Sequence, residues 1–150
     1  MPQSLSKILV HVIFSTKHRQ PLIRPEIETE LFKYMASICR EYESPALIIN
    51  GTVDHVHILL SLSRKIALSD LLEKVKKSSS KWIKTKGAFY ENFYWQNGYG
   101  AFSIGQSGVE AVKEYIAKQK ERHRKKTFQE EYRAFLKKYQ IEYDERYVWD

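Results

Sequence analysis

The sequence lacks the features of several large protein classes. It contains one cysteine, Cys39, so no internal disulfide can form, and a reducing compartment such as the cytoplasm is expected. No apolar run approaches the roughly 18–20 residues that span a bilayer, so no membrane segment is predicted. The start "MPQSLSKILVHVIF" carries one lysine, and no small-residue cleavage site follows it, which argues against a signal peptide. Internal repeats and low-complexity linkers are also absent.

What is present indicates a basic globular protein. A chain of 150 residues is long enough for one domain with a hydrophobic core. Charged residues make up 29% and hydrophobic residues 43%, a balance typical of globular rather than disordered chains. The formal net charge is +7 and the pI about 9.4, so we expect a polyanionic partner, of which nucleic acid is the commonest.

The hydrophobic pattern predicts the element order β-α-β-β-α-β-α. The predicted strands cover residues 7–16, 44–53, 54–63 and 92–105. The first predicted helix begins at Pro25. The second runs from an N-cap at Ser69 to about Lys86, and the third follows Gly108 and ends at about Lys126. The first six elements match a ferredoxin-like α+β fold, with an antiparallel sheet and two helices on one face. We expect one domain over residues 1–126, with residues 127–150 as its C-terminal extension, helical at first.

The stretch "GTVDHVHILL", residues 51–60, places two histidines two positions apart on the third predicted strand. Side chains at i and i+2 share one face of a strand, so His55 and His57 are candidate ligands of one metal ion. The alternative is a pair of structural histidines at a half-buried strand edge. Five histidines give such a pair by chance in about one chain in eight, so context must decide. Asp54 and Asp70 could add ligands, but Asp54 would alternate away from both histidines on a regular strand.

A second candidate pair lies on the last predicted helix. Tyr115 and Gln119 are four residues apart and therefore share one helical face. Such a pair arises by accident in about one chain in two, so the spacing alone is weak. The alternative is that Tyr115 borders the apolar stripe of Val112 and Ile116, while Gln119 is solvated.

Taken together, the motifs resemble a known family. The chain has "STKHRQPL" after the first strand, H-x-H on the third, a basic helix with "KKSSSKW", then "YWQNGYGAFSIG" and Y-x-x-x-Q. Their order and spacing over residues 5–125 resemble the single-tyrosine HUH transposases, the small transposases of the IS200/IS605 type and their REP-associated relatives. The resemblance implies an HUH nuclease-like version of the ferredoxin-like fold. The tail from Thr127 lies outside the resemblance.

The resemblance implies a role for each candidate residue. His55 and His57 match the histidine pair that binds a divalent cation, Mg²⁺ or Mn²⁺, and Gln119 matches the third protein ligand. Tyr115 matches the nucleophile that attacks single-stranded DNA, leaving a 3′-hydroxyl and a 5′-phosphotyrosine intermediate. The family also implies DNA with hairpin ends, and a homodimer in which the tyrosine helix of one subunit serves the histidines of the other.

The chemistry suits these residue types. A cation bound to a non-bridging oxygen offsets the charge that develops on a phosphodiester under attack. A phenol, with a free pKa of about 10, is a good enough leaving group to make the adduct reversible, so no ATP is implied. Two imidazoles and an amide form a neutral ligand set, which suits Mn²⁺ at least as well as Mg²⁺.

A lysine stripe on the second predicted helix is the expected DNA contact. Its members recur at helical spacing: Lys74, Lys77, Lys81 and Lys84. The alternative is an ordinary solvated face. Among the other histidines, we expect His11 to be structural, with a place beside the site as the alternative. We expect His123 to belong mainly to the solvated basic run "KERHRKK"; the alternative is that it approaches the same cleft, one turn beyond Gln119.

Three functions remain open from the sequence. The first is a transposase that cuts and rejoins single-stranded DNA. The second is a non-catalytic or domesticated nucleic-acid-binding ferredoxin-like protein. The third is a metal-dependent enzyme with an unrelated substrate that uses His55 and His57 alone. Metal-dependent covalent capture of single-stranded DNA distinguishes them.

Overall fold

A four-stranded antiparallel sheet forms the centre of the computed structural model, which describes residues 2–150. The strands are β1 (Leu9–Ser15), β2 (Ala46–Gly51), β3 (His55–Ser61) and β4 (Gly100–Ile104). Their spatial order is β2-β3-β1-β4, and all neighbouring strands are antiparallel. This order is the one a ferredoxin-like chain produces, so the predicted α+β fold is confirmed.

Helices cover both faces of this sheet. They are α1 (Pro25–Glu41), α2 (Leu68–Ile83), α3 (Val109–Ala117), α4 (Gln119–Arg122) and α5 (Phe128–Lys138). Helices α1 and α2 bury their apolar sides against one face, where Val12 and Phe14 of β1 and Ile58 of β3 point into the main core. These are the two helices on one face that the sequence predicts.

The opposite face of the sheet is covered by α3 and α5. Leu9 and Leu59 pack against Val109 and Ile116 of α3. Beside them, Phe128, Tyr132 and Leu136 of α5 pack with Ile13 and Phe102. Because side chains alternate along a strand, the residues between the main-core positions of β1 and β3 all point into this second layer.

Three predicted boundaries differ from the structure. The fourth strand starts only at Gly100, since the residues before it form turns apart from one bridge between Trp95 and Thr16. Helix α2 starts at Leu68 rather than after Ser69. The helix predicted from Gly108 to about Lys126 is interrupted at Lys118, whose φ of −99° and ψ of 21° are not helical. Among residues 2–150, no helix is both long and apolar enough to cross a bilayer.

Candidate active site

The two histidines of β3 lie on the sheet face that α3 and α5 cover. Their β1 partners in the antiparallel register are Ser15 for His55 and Ile13 for His57. Both imidazoles are fully buried, and Val56 between them points into the opposite core. The expected sharing of one face is therefore found, but in the interior rather than at a half-buried edge.

The break at the end of α3 brings the predicted glutamine to the same place. Gln119 is fully buried, and its Oε1 lies 3.3 Å from Nε2 of His55. Tyr115 is half-buried, with its ring centroid 5.9 Å from that of His57. One chain thus gathers His55, His57, Tyr115 and Gln119, and the alternative of a solvated Gln119 is wrong.

A carboxylate from α5 occupies the centre of this group. Glu131 is 2% exposed, and its Oε1 lies 3.0 Å from Nε2 of His57 and 3.0 Å from Nε2 of His123. Its Oε2 accepts hydrogen bonds from the Tyr115 hydroxyl and, at 3.3 Å, from Nε2 of Gln119. One carboxylate therefore links the candidate nucleophile to the candidate ligands.

Glu131 escaped the sequence interpretation because it belongs to the tail that carried no family motif. A local signal does exist: Thr127 and Glu130 form a capping box, which marks the start of α5. The packing of α5 over the histidines is a long-range contact that this signal does not predict.

His123 also belongs to the site rather than to a solvated run. Its ring centroid is 4.3 Å from that of His55. His55, His57, His123 and Glu131 each place one potential ligand atom within 4.8 Å of the others. Helix α4 ends at Arg122, and in the turn that follows His123 is partly buried while the flanking Arg124 is exposed.

Polar neighbours orient both strand histidines. Nδ1 of His55 donates to Oδ1 of Asp54 at 2.8 Å, and Thr52 donates to the same carboxylate oxygen at 3.0 Å. Asp54 precedes β3, so strand alternation does not turn it away as the sequence suggested. Nδ1 of His57 lies 2.8 Å from Nε2 of His11, so His11 supports the site directly.

Burial sets the charge states of the site. It lowers the pKa of His57 to about 4 and that of His11 to about 3, so both imidazoles are neutral near pH 7. Burial opposes ionisation of Glu131, but hydrogen bonds from His123 and His57 hold the pKa of that carboxyl well below its usual range. Burial, together with the hydrogen bond to Glu131, raises the pKa of Tyr115.

The donor chemistry of this cluster fits a divalent cation. Buried neutral imidazoles, an amide oxygen and an ionised carboxylate are ligands that first-row divalent metals accept. The hydrogen bond from His55 to Asp54 has the form of the outer carboxylate contact common at metal-binding histidines. The ligand set expected from the sequence, two imidazoles and an amide, was neutral, whereas the structure adds the negatively charged Glu131.

Basic residues lie near the site, but they are not the predicted ones. Tyr115 lines a cleft of about 670 Å³ together with five basic residues, Lys118, Arg122, Arg124, Lys125 and Lys126, and three acidic ones, Glu121, Glu130 and Glu131. The Arg122 guanidinium lies 4.1 Å from the centroid of the Tyr115 ring. Helix α2, with its lysine stripe, packs on the opposite face of the sheet. The structure therefore does not bring Lys74, Lys77, Lys81 or Lys84 to the histidine cluster.

Two solved structures share this fold. A candidate transposase from Deinococcus radiodurans R1 is 19% identical with a TM-score of 0.61, over 79% of this chain and 98% of that one. A REP-associated tyrosine transposase bound to a REP hairpin is 14% identical with a TM-score of 0.61, over 82% of this chain and 73% of that one.

Comparison by sequence identifies the family. No curated protein matches the sequence. The family model described as "Transposase IS200 like" matches residues 4–119, a range that contains both β3 histidines, Tyr115 and Gln119. Since the match covers most of the chain, the chain belongs to the IS200-like transposase family.

Proposed function

We propose that this transposase cuts and rejoins single-stranded DNA by transesterification, with Tyr115 as the nucleophile. The observation that carries the proposal is the position of the Tyr115 hydroxyl. It lies in one hydrogen-bonded cluster with the candidate metal ligands, and Tyr115 also lines a cleft with five basic and three acidic side chains. Such a cleft suits the phosphates on either side of a cut site. The REP hairpin in the related complex supports hairpin-containing DNA as substrate.

In the proposed reaction, the Tyr115 oxygen attacks the phosphorus of the scissile phosphodiester. A new bond forms between that oxygen and phosphorus, while the bond from phosphorus to the 3′ oxygen breaks. Tyr115 loses its proton to solvent and the 3′ oxygen takes one from solvent, so it leaves as a hydroxyl while the 5′ phosphate stays on the tyrosine. Attack by a new 3′-hydroxyl reverses the step and releases Tyr115, so the phosphodiester bond energy is conserved.

Residues around Tyr115 act on its oxygen in opposite directions, since burial and the hydrogen bond to Glu131 raise the pKa of the hydroxyl while Arg122 lowers it. Its proton points to Oε2 of Glu131 in the resting site. The Arg122 guanidinium over the ring favours the phenolate, because a nearby positive charge stabilises an anion. A divalent ion, Mg²⁺ or Mn²⁺, held by His55, His57 and Gln119 would offset the charge on the phosphate oxygens.

The assembly and location remain predictions. The family resemblance implies a homodimer with shared sites, and a cytoplasmic location is expected from the single cysteine. In the structure, one chain brings the four residues together: Gln119 contacts His55, and Tyr115 lies beside His57. A partner subunit is therefore not needed to complete this set.

Covalent capture tests the proposed reaction. The protein is incubated with Mn²⁺ and single strands of the DNA that flanks its gene, and adducts are resolved on a denaturing gel. We expect an adduct from the native protein and none from Tyr115→Phe, which should still bind DNA nearly as well as the native protein does. Tyr147→Phe is the matched control, because that tyrosine is 64% exposed in the tail. An adduct from Tyr115→Phe would place the nucleophile elsewhere. Binding without any adduct from native protein would favour a non-catalytic DNA-binding protein.

A further inference from the structure

The C-terminal helix α5 places a carboxylate among the histidines, beyond the last residue that the family model matches. We propose that Glu131 and His123 are ligands of the metal ion, so that the C-terminal extension completes the metal centre. This inference rests on the proposed function, because it concerns the same site. It assigns two ligands in addition to His55, His57 and Gln119.

The distances between the donor atoms support shared coordination. Oε1 of Glu131 lies 3.0 Å from Nε2 of His57, 3.0 Å from Nε2 of His123 and 3.6 Å from Nε2 of His55. Ligands of a first-row ion lie about 2.0–2.2 Å from it, so neighbouring ligands are about 2.8–3.6 Å apart at octahedral or tetrahedral angles. The distances from Glu131 to the three histidines fall in this range, and all four atoms lie within 4.8 Å of one another.

The orientation of His55 and Gln119 also supports coordination of a metal ion. Nδ1 of His55 carries the proton that it donates to Asp54, which in the neutral ring leaves a lone pair on Nε2. That lone pair faces Oε1 of Gln119 at 3.3 Å. The amide cannot turn without losing the hydrogen bond from its Nε2 to Glu131. A cation bound between these two atoms would accept a lone pair from each of them.

The burial of Glu131 adds an independent reason. A buried carboxylate is stable only when it is paired or coordinates a metal. Within residues 2–150, three histidines lie within 3.6 Å of the Glu131 carboxylate, of which His57 is neutral near pH 7, and no lysine or arginine contacts that carboxylate at ion-pair distance. A divalent ion would supply the missing positive charge.

The enlarged ligand set has a chemical consequence. Three imidazoles with one carboxylate and one amide suit Mn²⁺ and other first-row ions better than Mg²⁺, which prefers oxygen ligands and keeps several waters. The carboxylate also reduces the net charge of the centre from +2 to +1. We therefore expect tighter binding of Mn²⁺ than of Mg²⁺ by the free protein.

Metal binding without DNA tests the inference apart from catalysis. Mn²⁺ is titrated calorimetrically into the native full-length chain, Glu131→Gln and Glu142→Gln. Glu131→Gln keeps the shape of the side chain but removes its charge, and we expect its dissociation constant to rise at least about tenfold. Glu142→Gln should bind as the native chain does, because Glu142 is an exposed carboxylate of the same tail. Unchanged affinity in a folded Glu131→Gln protein would overturn the inference.

A second measurement uses the native protein, in case Glu131→Gln does not fold. Spin-echo spectra of bound Mn²⁺ report directly coordinated imidazole nitrogens, and we expect three in the native chain and two in His123→Ala. Two in the native chain would overturn the role of His123, and no Mn²⁺ binding would overturn the whole inference. A Tyr115-dependent adduct that forms despite either result would leave the proposed function standing.

Discussion

Tyr115 donates its phenolic hydrogen to Glu131, which lies 16 residues later on a separate helix. The second oxygen of the same carboxylate faces His57 and His123. The nucleophile and the candidate ligands are therefore one hydrogen-bonded unit. Residues that share such a unit show non-additive effects when they are changed together.

The first prediction concerns Asp54, which fixes the ring of His55. We expect Asp54→Asn to weaken Mn²⁺ binding by about 10- to 100-fold, because an outer partner that orients a ligand contributes that much. Calorimetric titration measures the effect. Asp70→Asn is the control, since Asp70 is exposed on the first turn of α2. Equal affinity in the Asp54 and Asp70 variants would show that His55 needs no orienting carboxylate.

The second prediction separates two basic surfaces. We expect Arg124→Gln with Lys125→Gln to lower the salt dependence of single-strand binding by about one to two units and to slow adduct formation. Both residues line the cleft at Tyr115.

The predicted lysine stripe should behave differently. Lys77→Ala with Lys81→Ala should also lower the salt slope by about one to two units if α2 contacts DNA. Adduct formation at saturating DNA should stay native, because α2 lies on the opposite sheet face. An unchanged slope would remove α2 from the DNA surface.

The third prediction concerns a lysine that stabilises the segment before β4. Nζ of Lys76 donates to the carbonyl oxygens of Gln96, Asn97 and Gly98 at 2.9, 3.1 and 2.7 Å. We expect Lys76→Met to reduce the free energy of unfolding by about 1.5–3 kcal/mol, the usual range for hydrogen bonds to a charged group. Urea denaturation measures it, with exposed Lys77→Met as the control. A loss equal to that of the control would mean that the loop holds its own conformation.

The sequence predicted the fold through periodicity and the site through spacing within single elements. The alternation of β3 put His55 and His57 on one face, and the family motif identified Tyr115 and Gln119. Glu131 was missed and His123 was expected to be mainly solvated, because their positions depend on the helix break at Lys118 and on how α5 packs. Those are long-range contacts, for which local propensity gives no signal.

The fourth prediction concerns the close contact between Gly100 of β4 and Tyr132 of α5. A Cβ on Gly100 would lie 2.5 Å from Cε2 of Tyr132, whose ring is buried. We expect Gly100→Val to destabilise the fold by about 1–3 kcal/mol and to weaken Mn²⁺ binding, because displacing Tyr132 also moves Glu131. Gly105→Ala is the control, since its Cβ would meet nothing within 4 Å. Native Mn²⁺ affinity in a folded Gly100→Val protein would show that α5 adjusts without moving its carboxylate.

The last prediction asks whether the tyrosine serves its own chain or a partner. The family resemblance predicts sites in trans. The contacts of α3 favour a site in cis, since Val109 and Ile116 pack on the sheet of their own chain and Asn50 donates to the Ile116 carbonyl at 3.0 Å. We therefore expect cis chemistry even where two chains associate.

Mixing two inactive variants decides between the arrangements. Tyr115→Phe is combined with His55→Ala under conditions that exchange subunits, and covalent capture of DNA is measured. In trans, a heterodimer regains one site with both the histidines and the tyrosine intact. In cis, one chain lacks its nucleophile and the other lacks a ligand, so both sites stay defective. We expect no recovered adduct from verified heterodimers. Recovery would show that α3 leaves its own sheet to serve the partner, at the cost of the buried contacts of Val109 and Ile116.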